Sequence, residues 1–222
     1  MPRVVDHQQR RADLALLTLE VIRTVGIENT TIREIARRGR LSMGKLTHYF
    51  TSKDELVAFA FRWLSEKSLA ELDQLAATHG PGLPRLEVAV DTMSKVGEPA
   101  GIGLWLSLWD RAVRVSAFTN EHRAFYERWR GYVRTCLRDA VALQQIARGT
   151  SIDRAADLIV AAVDGLWIGG AFEPARFAPA RRRSLLRLQI DALTRAPASR
   201  ARRHAFAEPS DASQTVPARA TR

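Results

Sequence analysis

The sequence predicts an all-α protein of about nine helices, with a small N-terminal three-helix domain and a larger C-terminal helical domain. Along most of the 222 residues, apolar side chains recur every three or four positions, which is the spacing of one helix face. There is no sustained apolar/polar alternation and no Asn-Gly or Asp-Gly turn between β-branched runs, so strands are not expected. Residues that cap helices precede many of the periodic segments, and Gly or Pro follows them.

The first helix is predicted from His7 to Val25, with Gly26 just past its end, where a left-handed cap needs a residue without Cβ. The apolar face of this helix consists of Leu14, Thr18, Val21, Ile22 and Val25. A second, short helix opens at Thr31, whose hydroxyl can accept from exposed backbone N–H groups while Glu34 reaches back, as in a capping box. The inward residues of the second helix are Ile32, Ile35 and Ala36.

A third short helix follows a break in the helical period near Gly39. Ser42 is placed to cap this helix, which is predicted over Met43–Tyr49 and ends before Phe50. The second and third helices are therefore joined by a short turn.

A long fourth helix connects the two predicted domains. Ser52 and Glu55 form a second capping box at its start, and it is predicted to end near Ala77, before the helix-breaking segment HGPGL. Its buried face is expected to comprise Leu56, Ala60, Trp63 and Leu64. Because such a face can serve both domains, the boundary is placed within this helix, which gives domains at 1–64 and 65–195.

Five further helices are predicted in the second domain, at about 84–96, 103–116, 120–147, 153–171 and 179–195, with Gly, Pro and Ser between them. From Ala196 onward the chain is rich in Ala, Pro, Ser and Arg and lacks an apolar period. Residues 196–222 are therefore predicted to form a disordered basic tail.

The charge balance points to a polyanionic partner. The formal net charge is +10, and residues 1–64 carry 11 Lys/Arg against 7 Asp/Glu while residues 195–222 carry 6 against 2. Such segments attract polyanions by releasing counterions, so nucleic acid is the first candidate partner and an anionic membrane surface the second. Without an apolar run of about 18 residues or a signal-peptide apolar region, a soluble cytoplasmic protein with no membrane segment is expected.

Residues 31–50 have the layout of helix, short turn and helix that is typical of a helix-turn-helix, whose second helix enters a DNA major groove. The stretch TTIREIARR, followed after the turn by LSMGKLTHYFTSKDEL, resembles the TetR family of bacterial repressors, and more narrowly its choline-responsive BetI type. The resemblance covers about residues 8–64 and continues more weakly through LWLSLWDRAVR at 104–114 and AAVDGLWIGG at 161–170. It implies a nine-helix dimer with a DNA-binding first domain and a ligand-binding and dimerisation domain that holds an inducer pocket.

Candidate DNA contacts follow from position and chemistry. Lys45 can donate to guanine, Thr47 can hydrogen-bond a base or touch a thymine methyl, and Gly44 would allow close backbone approach. Leu46 and Phe50 are expected in the core, because they fall on the face that packs against the first helix. The candidates at the third helix are Ser42, Met43, Gly44, Lys45, Thr47 and His48, and those for phosphate contacts are Thr31, Arg33, Tyr49 and Lys53.

Charge supports the same surface, since residues 31–53 carry six Lys/Arg and one Glu. A patch of this kind makes DNA binding strongly salt-dependent. The alternative interpretation is a solvated charged face without a partner.

One position departs from the family pattern. In TetR proteins the turn usually has its glycine two residues before the serine that caps the third helix, whereas here that residue is Arg40 and the glycine is Gly39. If Arg40 takes a positive φ, the strain would be about 1 kcal/mol, which a packed three-helix unit tolerates.

Aromatic residues in the second domain predict a candidate ligand pocket. Trp105 and Trp109 are four residues apart, as are Phe125 and Trp129, so each pair shares a helix face. The remaining candidates are Tyr126, Trp167, Phe172 and the carboxylates Asp110 and Asp164. Such a set could enclose an organic cation by cation–π and charge attraction. The alternatives are an ordinary packed core and, for Asp164, a buried structural cap.

The last two predicted helices are apolar enough to pack against their symmetry mates in a four-helix dimer interface, with internal core as the alternative. Their apolar residues are Ile159, Val160, Val163, Leu166, Leu185, Leu186, Leu188, Ile190 and Leu193, and their small residues are Ala161, Ala162, Gly165 and Gly169. A homodimer with recognition helices about 34 Å apart would read a palindromic operator on double-stranded DNA.

A sequence-specific repressor released by a small-molecule inducer is the favoured hypothesis, and a non-specific DNA-organising protein, suggested by the basic tail, is the alternative. Catalysis, a metal and a cofactor are not expected. The five histidines are scattered at 7, 48, 79, 122 and 204, and the chain has no HExxH, paired-cysteine or Gly-rich phosphate motif. Its single cysteine, Cys136, is interpreted as a small buried apolar residue.

Overall fold

The computed structural model describes residues 7–94 and 102–195, and this part of the chain forms nine α-helices and no strand. The helices are α1 (His7–Asn29), α2 (Ile32–Arg38), α3 (Met43–Tyr49), α4 (Lys53–Ala77), α5 (Leu83–Met93), α6 (Ile102–Arg114), α7 (Ser116–Ala142), α8 (Ile152–Phe172) and α9 (Pro179–Thr194). The predicted all-α class is therefore confirmed. The predicted basic tail at 196–222 lies outside the described residues.

The first three helices enclose a small apolar core of their own together with the start of α4. Its buried members are Leu14, Val21, Ile35, Ala36, Leu46, Phe50 and Leu56. Leu46 and Phe50 are each only 1% exposed, so the prediction that they face the core is confirmed. Their burial fixes one side of α3 against the core formed by α1, α2 and the start of α4, and the other side of α3 is exposed.

The helix starts follow the predicted capping residues only in part. The Thr31 hydroxyl accepts from the Glu34 amide at 3.1 Å, and the Ser52 hydroxyl accepts from the Glu55 amide at 3.1 Å, as predicted. The prediction that the side chains of Glu34 and Glu55 accept from the backbone amide of the capping residue is wrong. Glu34 accepts from nearby arginines instead, and Glu55 accepts from the backbone and hydroxyl of Thr51, each at 2.7 Å.

Ser42 occupies the N-cap position of α3, but its side chain makes no capping hydrogen bond. The prediction that its hydroxyl caps α3 is therefore wrong in its chemistry, although the helix begins where expected. An exposed, uncommitted hydroxyl at the N-terminus of α3 remains available for a partner of another kind.

The turn between α2 and α3 closes with Arg40 at a positive φ of 50°. The Leu41 amide donates to the Ala36 carbonyl at 2.9 Å and the Arg40 amide donates to the Arg37 carbonyl at 3.3 Å, which is the hydrogen-bond pattern of a Schellman motif. The residue that this motif places in the left-handed region is usually glycine, and here it is Arg40. Gly39 has an ordinary φ of −79° and serves a different purpose.

Gly39 allows α1 to approach the end of α2. A Cβ added at Gly39 would lie 2.4 Å from Cδ2 of Leu17 and 3.2 Å from the Ile35 carbonyl oxygen. The glycine is therefore required by packing, while the arginine beside it accepts the strained backbone.

At the end of α1, Gly26 has a φ of 78° and a ψ of 158°, and the helical hydrogen bonds resume through Asn29. The positive φ expected at Gly26 is confirmed. The ψ value lies outside the left-handed helical region, so Gly26 forms a kink and not the simple cap that was predicted.

The larger core includes residues of both predicted domains. It contains Ile22 and Ile27 of α1 and Val57 and Phe61 of α4 together with buried residues of every helix from α5 to α9. Phe61 is completely buried, whereas Trp63 and Leu64, which were expected on the buried face of α4, are only half-buried. Because α4 contributes to both cores, the two parts of the molecule cannot move independently of this helix.

The later helices lie close to their predicted positions, and their ends depend on local contacts. α7 ends at Ala142, five residues before the predicted end, because Gln144 takes a φ of 58° and the Gln145 amide bonds back to the Ala140 carbonyl at 2.8 Å. The side chain of Gln145 then accepts from the Leu83 amide at 2.7 Å and so caps α5.

Within the described ranges, α8 alone is long and apolar enough to cross a bilayer, by length and composition. It also packs against α7 and α9 and buries Ala156, Ile159, Val163 and Trp167. A core helix of a globular fold meets the same criterion, so this helix is weak grounds for a membrane span.

Substitutions at 39 and 40 test the division of roles in the turn. We expect Gly39→Ala to lower the free energy of unfolding by about 1–3 kcal/mol, because Leu17 must move. Arg40→Gly removes a left-handed strain of about 1 kcal/mol but adds chain entropy to the unfolded state. The free energy of unfolding of Arg40→Gly should therefore be unchanged or up to about 1 kcal/mol higher. Urea denaturation followed by tryptophan fluorescence measures both, and a harmless Gly39→Ala beside a damaging Arg40→Gly would contradict this account.

Candidate DNA-binding surface and ligand pocket

The outer side of α3 carries the predicted base-reading residues. Met43, Gly44, Thr47 and His48 are exposed. The side chain of Lys45 lies outside the described part of the structure, although its backbone belongs to α3. No atom lies within 4 Å of the position that a Gly44 Cβ would take. The fold itself therefore does not require glycine there.

The predicted phosphate contacts surround the two ends of α3. Thr31 and Arg33 are exposed at the start of α2, and Tyr49 is half-buried with its ring 5.4 Å from that of His48. Lys53 donates from Nζ to the Glu28 carbonyl at 3.2 Å, so its charge is held where α1 ends and α4 begins. Thr31 and Arg33 thus lie at the start of α2, Tyr49 at the end of α3 and Lys53 at the start of α4.

The charge of this surface is lower than the sequence count indicates. Glu34 accepts from Arg37 at 2.6 Å and from Arg38 at 3.0 Å, and these hydrogen bonds lower the pKa of Glu34 to about 2. The two arginines are thereby partly neutralised. Arg33 and Arg40 are exposed and form no ion pair within 7–94 and 102–195.

The aromatic candidates in the second domain come together where α6, α7 and α8 meet. The ring centroids of Trp105 and Phe125 are 5.7 Å apart, those of Trp105 and Trp167 are 6.4 Å apart, and those of Trp109 and Trp167 are 5.6 Å apart. We call this the aromatic cluster, and it consists of Trp105, Trp109, Phe125, Tyr126, Trp129 and Trp167. Together with Met93, Val163 and Asp164, it lines a space of only about 30 Å³.

Two predicted pocket residues do not reach this cluster. Asp110 is exposed and pairs with Arg114 at 2.9 Å, since it follows Trp109 by one position and points about a quarter turn away around α6. Phe172 is 74% exposed at the very end of α8. Among the described residues, the only predicted carboxylate at the cluster is therefore Asp164.

Asp164 is held by a hydrogen bond from the Tyr126 hydroxyl to Oδ2 at 2.8 Å. Burial raises the pKa of Asp164 to about 6, and the bond from Tyr126 opposes that rise. Burial and the neighbouring Asp164 charge raise the pKa of Tyr126, which therefore stays protonated as the donor. Near neutral pH, the cluster contains a carboxylate that is ionised and only partly compensated.

His122 belongs to the site although sequence reasoning did not select it. Its ring lies 4.6 Å from that of Tyr126, 6.0 Å from Phe61 and 6.3 Å from Trp109. Burial lowers its pKa, and its Nε2 is buried without a hydrogen-bond partner in the described chain. The available signal was its position four residues before Tyr126, on the same face of α7.

An open groove adjoins the aromatic cluster. It has a volume of about 430 Å³ and is lined by Trp109, Ala112, Val113, Thr119, His122, Tyr126 and Asp164. Trp109, Tyr126 and Asp164 border both the groove and the small space within the cluster. The pair Tyr126–Asp164 therefore borders both a small space and a much larger one.

Family profiles match both parts of the chain. The profile of bacterial regulatory proteins of the tetR family matches residues 17–59, and the profile of the C-terminal domain of BetI-type transcriptional repressors matches residues 85–195. The transcriptional regulator BetI 1 of Chromohalobacter salexigens is 31% identical over 186 residues, covering 78% of this chain and 85% of that protein. The regulator PksA of Bacillus subtilis is 27% identical over 180 residues, covering 79% and 85%.

Solved structures share the same fold. A transcriptional regulator from Pseudomonas aeruginosa superimposes with a TM-score of 0.75 at 25% identity, covering 86% of this chain and 92% of that one. A regulator from Saccharomonospora viridis, solved in complex with choline, gives a TM-score of 0.73 at 20% identity, covering 83% and 96%.

Asp164→Asn tests the electrostatic state of the pocket through stability. Because the pKa of Asp164 is raised from 3.8 to about 6 in the folded chain, its ionised form opposes folding above about pH 6, and that effect disappears toward pH 4. Asparagine keeps an oxygen that can accept from Tyr126. We expect the variant to gain roughly 1–3 kcal/mol in free energy of unfolding at pH 8 and little at pH 4, measured by urea denaturation.

Asp110→Asn is the control, because Asp110 is an exposed carboxylate on the neighbouring helix. The change in free energy of unfolding caused by Asp110→Asn should not grow between pH 4 and pH 8. A loss of stability in Asp164→Asn at pH 8 would instead identify Asp164 as a structural cap whose charge the fold needs.

Proposed function

The chain belongs to the TetR family of transcriptional regulators and has a BetI-type repressor C-terminal domain, and we propose that it is a homodimer released from a palindromic operator by an organic cation. As a DNA-binding regulator it would act in the cytoplasm. The observation that carries the proposal is the placement of α3, with Leu46 and Phe50 buried and Thr47 and His48 exposed.

The exposed side of α3 suits major-groove reading. The Thr47 hydroxyl is engaged with the carbonyls of Met43 and Gly44 at 3.1 and 3.3 Å, so its methyl group is directed by the helix and can touch a thymine methyl. The bare Gly44 position permits close approach of the DNA backbone or bases. Arg33, Lys53 and the helix starts at Thr31 and Ser42 would position the domain through phosphate contacts.

The second copy is proposed to bind along α8 and α9. Each of these helices has two apolar sides: Ile159, Val163, Leu186 and Ile190 are buried, while Leu158 is 48% exposed and Leu188 is 61% exposed. Leu158, Ala161 and Gly165 follow helical spacing on the exposed side of α8, and the two small residues would allow close approach of another helix. A twofold axis there would place two copies of α3 on one face of the duplex, about 34 Å apart.

The ligand is proposed to be an organic cation. A half-buried, ionised Asp164 beside aromatic rings attracts positive charge through Coulomb and cation–π interactions. The structural relative from Saccharomonospora viridis holds choline, which is a compound of this class. Trp105, Trp109, Phe125, Tyr126, Trp129, Asp164 and Trp167 are the proposed ligand-binding residues.

Release from DNA would pass through α4. Phe61 of α4 contacts the rings of Trp105 and Phe125 at 5.6 and 6.3 Å, and the Asp54 carboxylate in the first turn of α4 pairs with Arg111 of α6. His122, which lines the groove beside the cluster, also packs on Phe61 at 6.0 Å. A ligand that displaces any ring packed on Phe61 would therefore shift the helix that begins shortly after α3. The ligand would favour a dimer conformation in which the two recognition helices no longer match the groove spacing.

DNA binding is tested by a gel-shift titration on the region upstream of the gene. We expect tight, salt-sensitive binding to a palindrome. Thr47→Ala should weaken binding to the palindrome about tenfold. Arg33→Ala should weaken binding to every DNA sequence and should reduce the slope of log affinity against log salt concentration by about 1. Arg138→Ala, an exposed arginine of α7, is the control.

The non-specific alternative rests on the net charge of +10 and the basic C-terminal segment. It requires equal affinity for random duplex and loss of most affinity when residues 196–222 are removed. That pair of results would overturn operator-specific repression.

Dimerisation is tested by placing charge on the proposed interface. Leu158→Glu and Leu188→Glu should convert the dimer to monomer in analytical ultracentrifugation, because an unpaired carboxylate would be buried between the copies. Leu143→Glu is the matched control, since Leu143 is 50% exposed but lies outside α8 and α9. A dimer that survives both interface changes would place the twofold axis elsewhere.

A further inference from the structure

We propose that the ligand is an amphiphilic monocation, whose cationic head lies against Asp164 and whose apolar body lies in the open groove between α6 and α7. This deepens the proposed function and rests on its organic-cation part. It differs from a small cation that is wholly enclosed by the aromatic cluster.

Available space is the first argument. The space within the aromatic cluster has only about 30 Å³, which is about the share of one water molecule in the liquid. The groove has about 430 Å³, within the usual range for pockets that bind small molecules. An organic body therefore fits in the groove without repacking the tryptophans.

The groove walls are the second argument, because they are apolar. Trp109, Ala112 and Val113 form the side contributed by α6. Val113 is 87% exposed, the largest exposed fraction among the exposed apolar side chains of the described residues. On the α7 side, the Thr119 hydroxyl donates to the carbonyls of Ala112 and Val115 at 2.5 and 3.2 Å, so it presents its methyl group and not a free donor.

Charge is the third argument. Asp164 is the single carboxylate that lines the groove, and Tyr126 donates to its Oδ2 while no hydrogen bond within the described chain reaches Oδ1. The positive charge of Arg130 acts on Tyr126, but its guanidinium is paired with Glu127 at 2.6 Å and with Asp157 at 2.7 Å. On the flanking helices, Arg114 is paired with Asp110 and Arg62 with Glu121. The other two titratable residues of the groove are Tyr126 and His122. Burial raises the pKa of Tyr126 and lowers the pKa of His122, which favours the neutral form of each. The site therefore balances one positive charge.

The head and the body would meet at Trp109 and Tyr126. Both residues border the cluster and the groove, and their ring faces can contact a cationic head beside Asp164. The chain of the ligand would then extend past His122 toward Val113 at the rim.

Isothermal titration with a series of one head group and increasing chain length tests this arrangement. The probes are tetramethylammonium, butyltrimethylammonium and octyltrimethylammonium, with choline as a short reference. Burial of a methylene in a half-open groove should tighten binding about twofold, so the octyl compound should bind at least tenfold more tightly than tetramethylammonium. Asp164→Asn should lower the affinity for every cation of the series at least tenfold.

Val113→Ser separates the groove from the head site. It should weaken the octyl compound about twofold to fivefold and leave tetramethylammonium unchanged, because Val113 contacts only the chain. Leu143→Ser, at an exposed leucine outside the groove, should change neither affinity.

The outcomes distinguish the two proposals. If choline releases the protein from its operator but affinity does not rise with chain length, the groove inference is wrong and the organic-cation proposal stands. If no cation of any length binds or releases the protein while operator binding is intact, the organic-cation proposal fails and the groove inference fails with it.

Discussion

The burial of Phe61 is the interaction on which the arrangement of the molecule depends. This ring belongs to α4, which also contributes Leu56 to the core of the small domain, and it packs among Trp105, Phe118 and Phe125 of the larger core. A change in the spacing of those rings cannot be absorbed by α4 alone, because close-packed cores have few voids. A movement of the aromatic cluster is therefore transmitted through α4 to the small domain that carries α3.

The fold was largely predictable because its signals are local. Helical spacing, Thr31 and Ser52 at helix starts and the glycine-containing turn identified the first four helices, and Leu46 and Phe50 were placed correctly in the core. The errors arose where several nearby groups competed to form a hydrogen bond with the same side chain. Glu34 had two arginines within one turn of helix, and these charged donors outcompeted the backbone amide that a capping box would use.

The candidate pocket was predictable only in part, since it depends on three helices whose relative rotation the sequence does not encode locally. Pairs such as Trp105 and Trp109 share a face by spacing alone, and that much was correct. Whether Asp110 or Asp164 turns inward depends on tertiary packing, as does the approach of His122 to Tyr126. The presence of a small space and a much larger groove side by side depends on how the helices pack, for which a single sequence carries no direct signal.

The left-handed arginine in the turn has a consequence for how the small domain meets a polyanion. A glycine at position 40 would relax the backbone and contribute no charge. Arg40 instead carries a guanidinium on the turn between α2 and α3, which the Leu41 amide anchors by its hydrogen bond to the Ala36 carbonyl. A basic side chain on an anchored backbone loses less conformational entropy when it binds a phosphate than a basic side chain on a mobile segment does. The loop that joins the two helices thus becomes a preorganised electrostatic element.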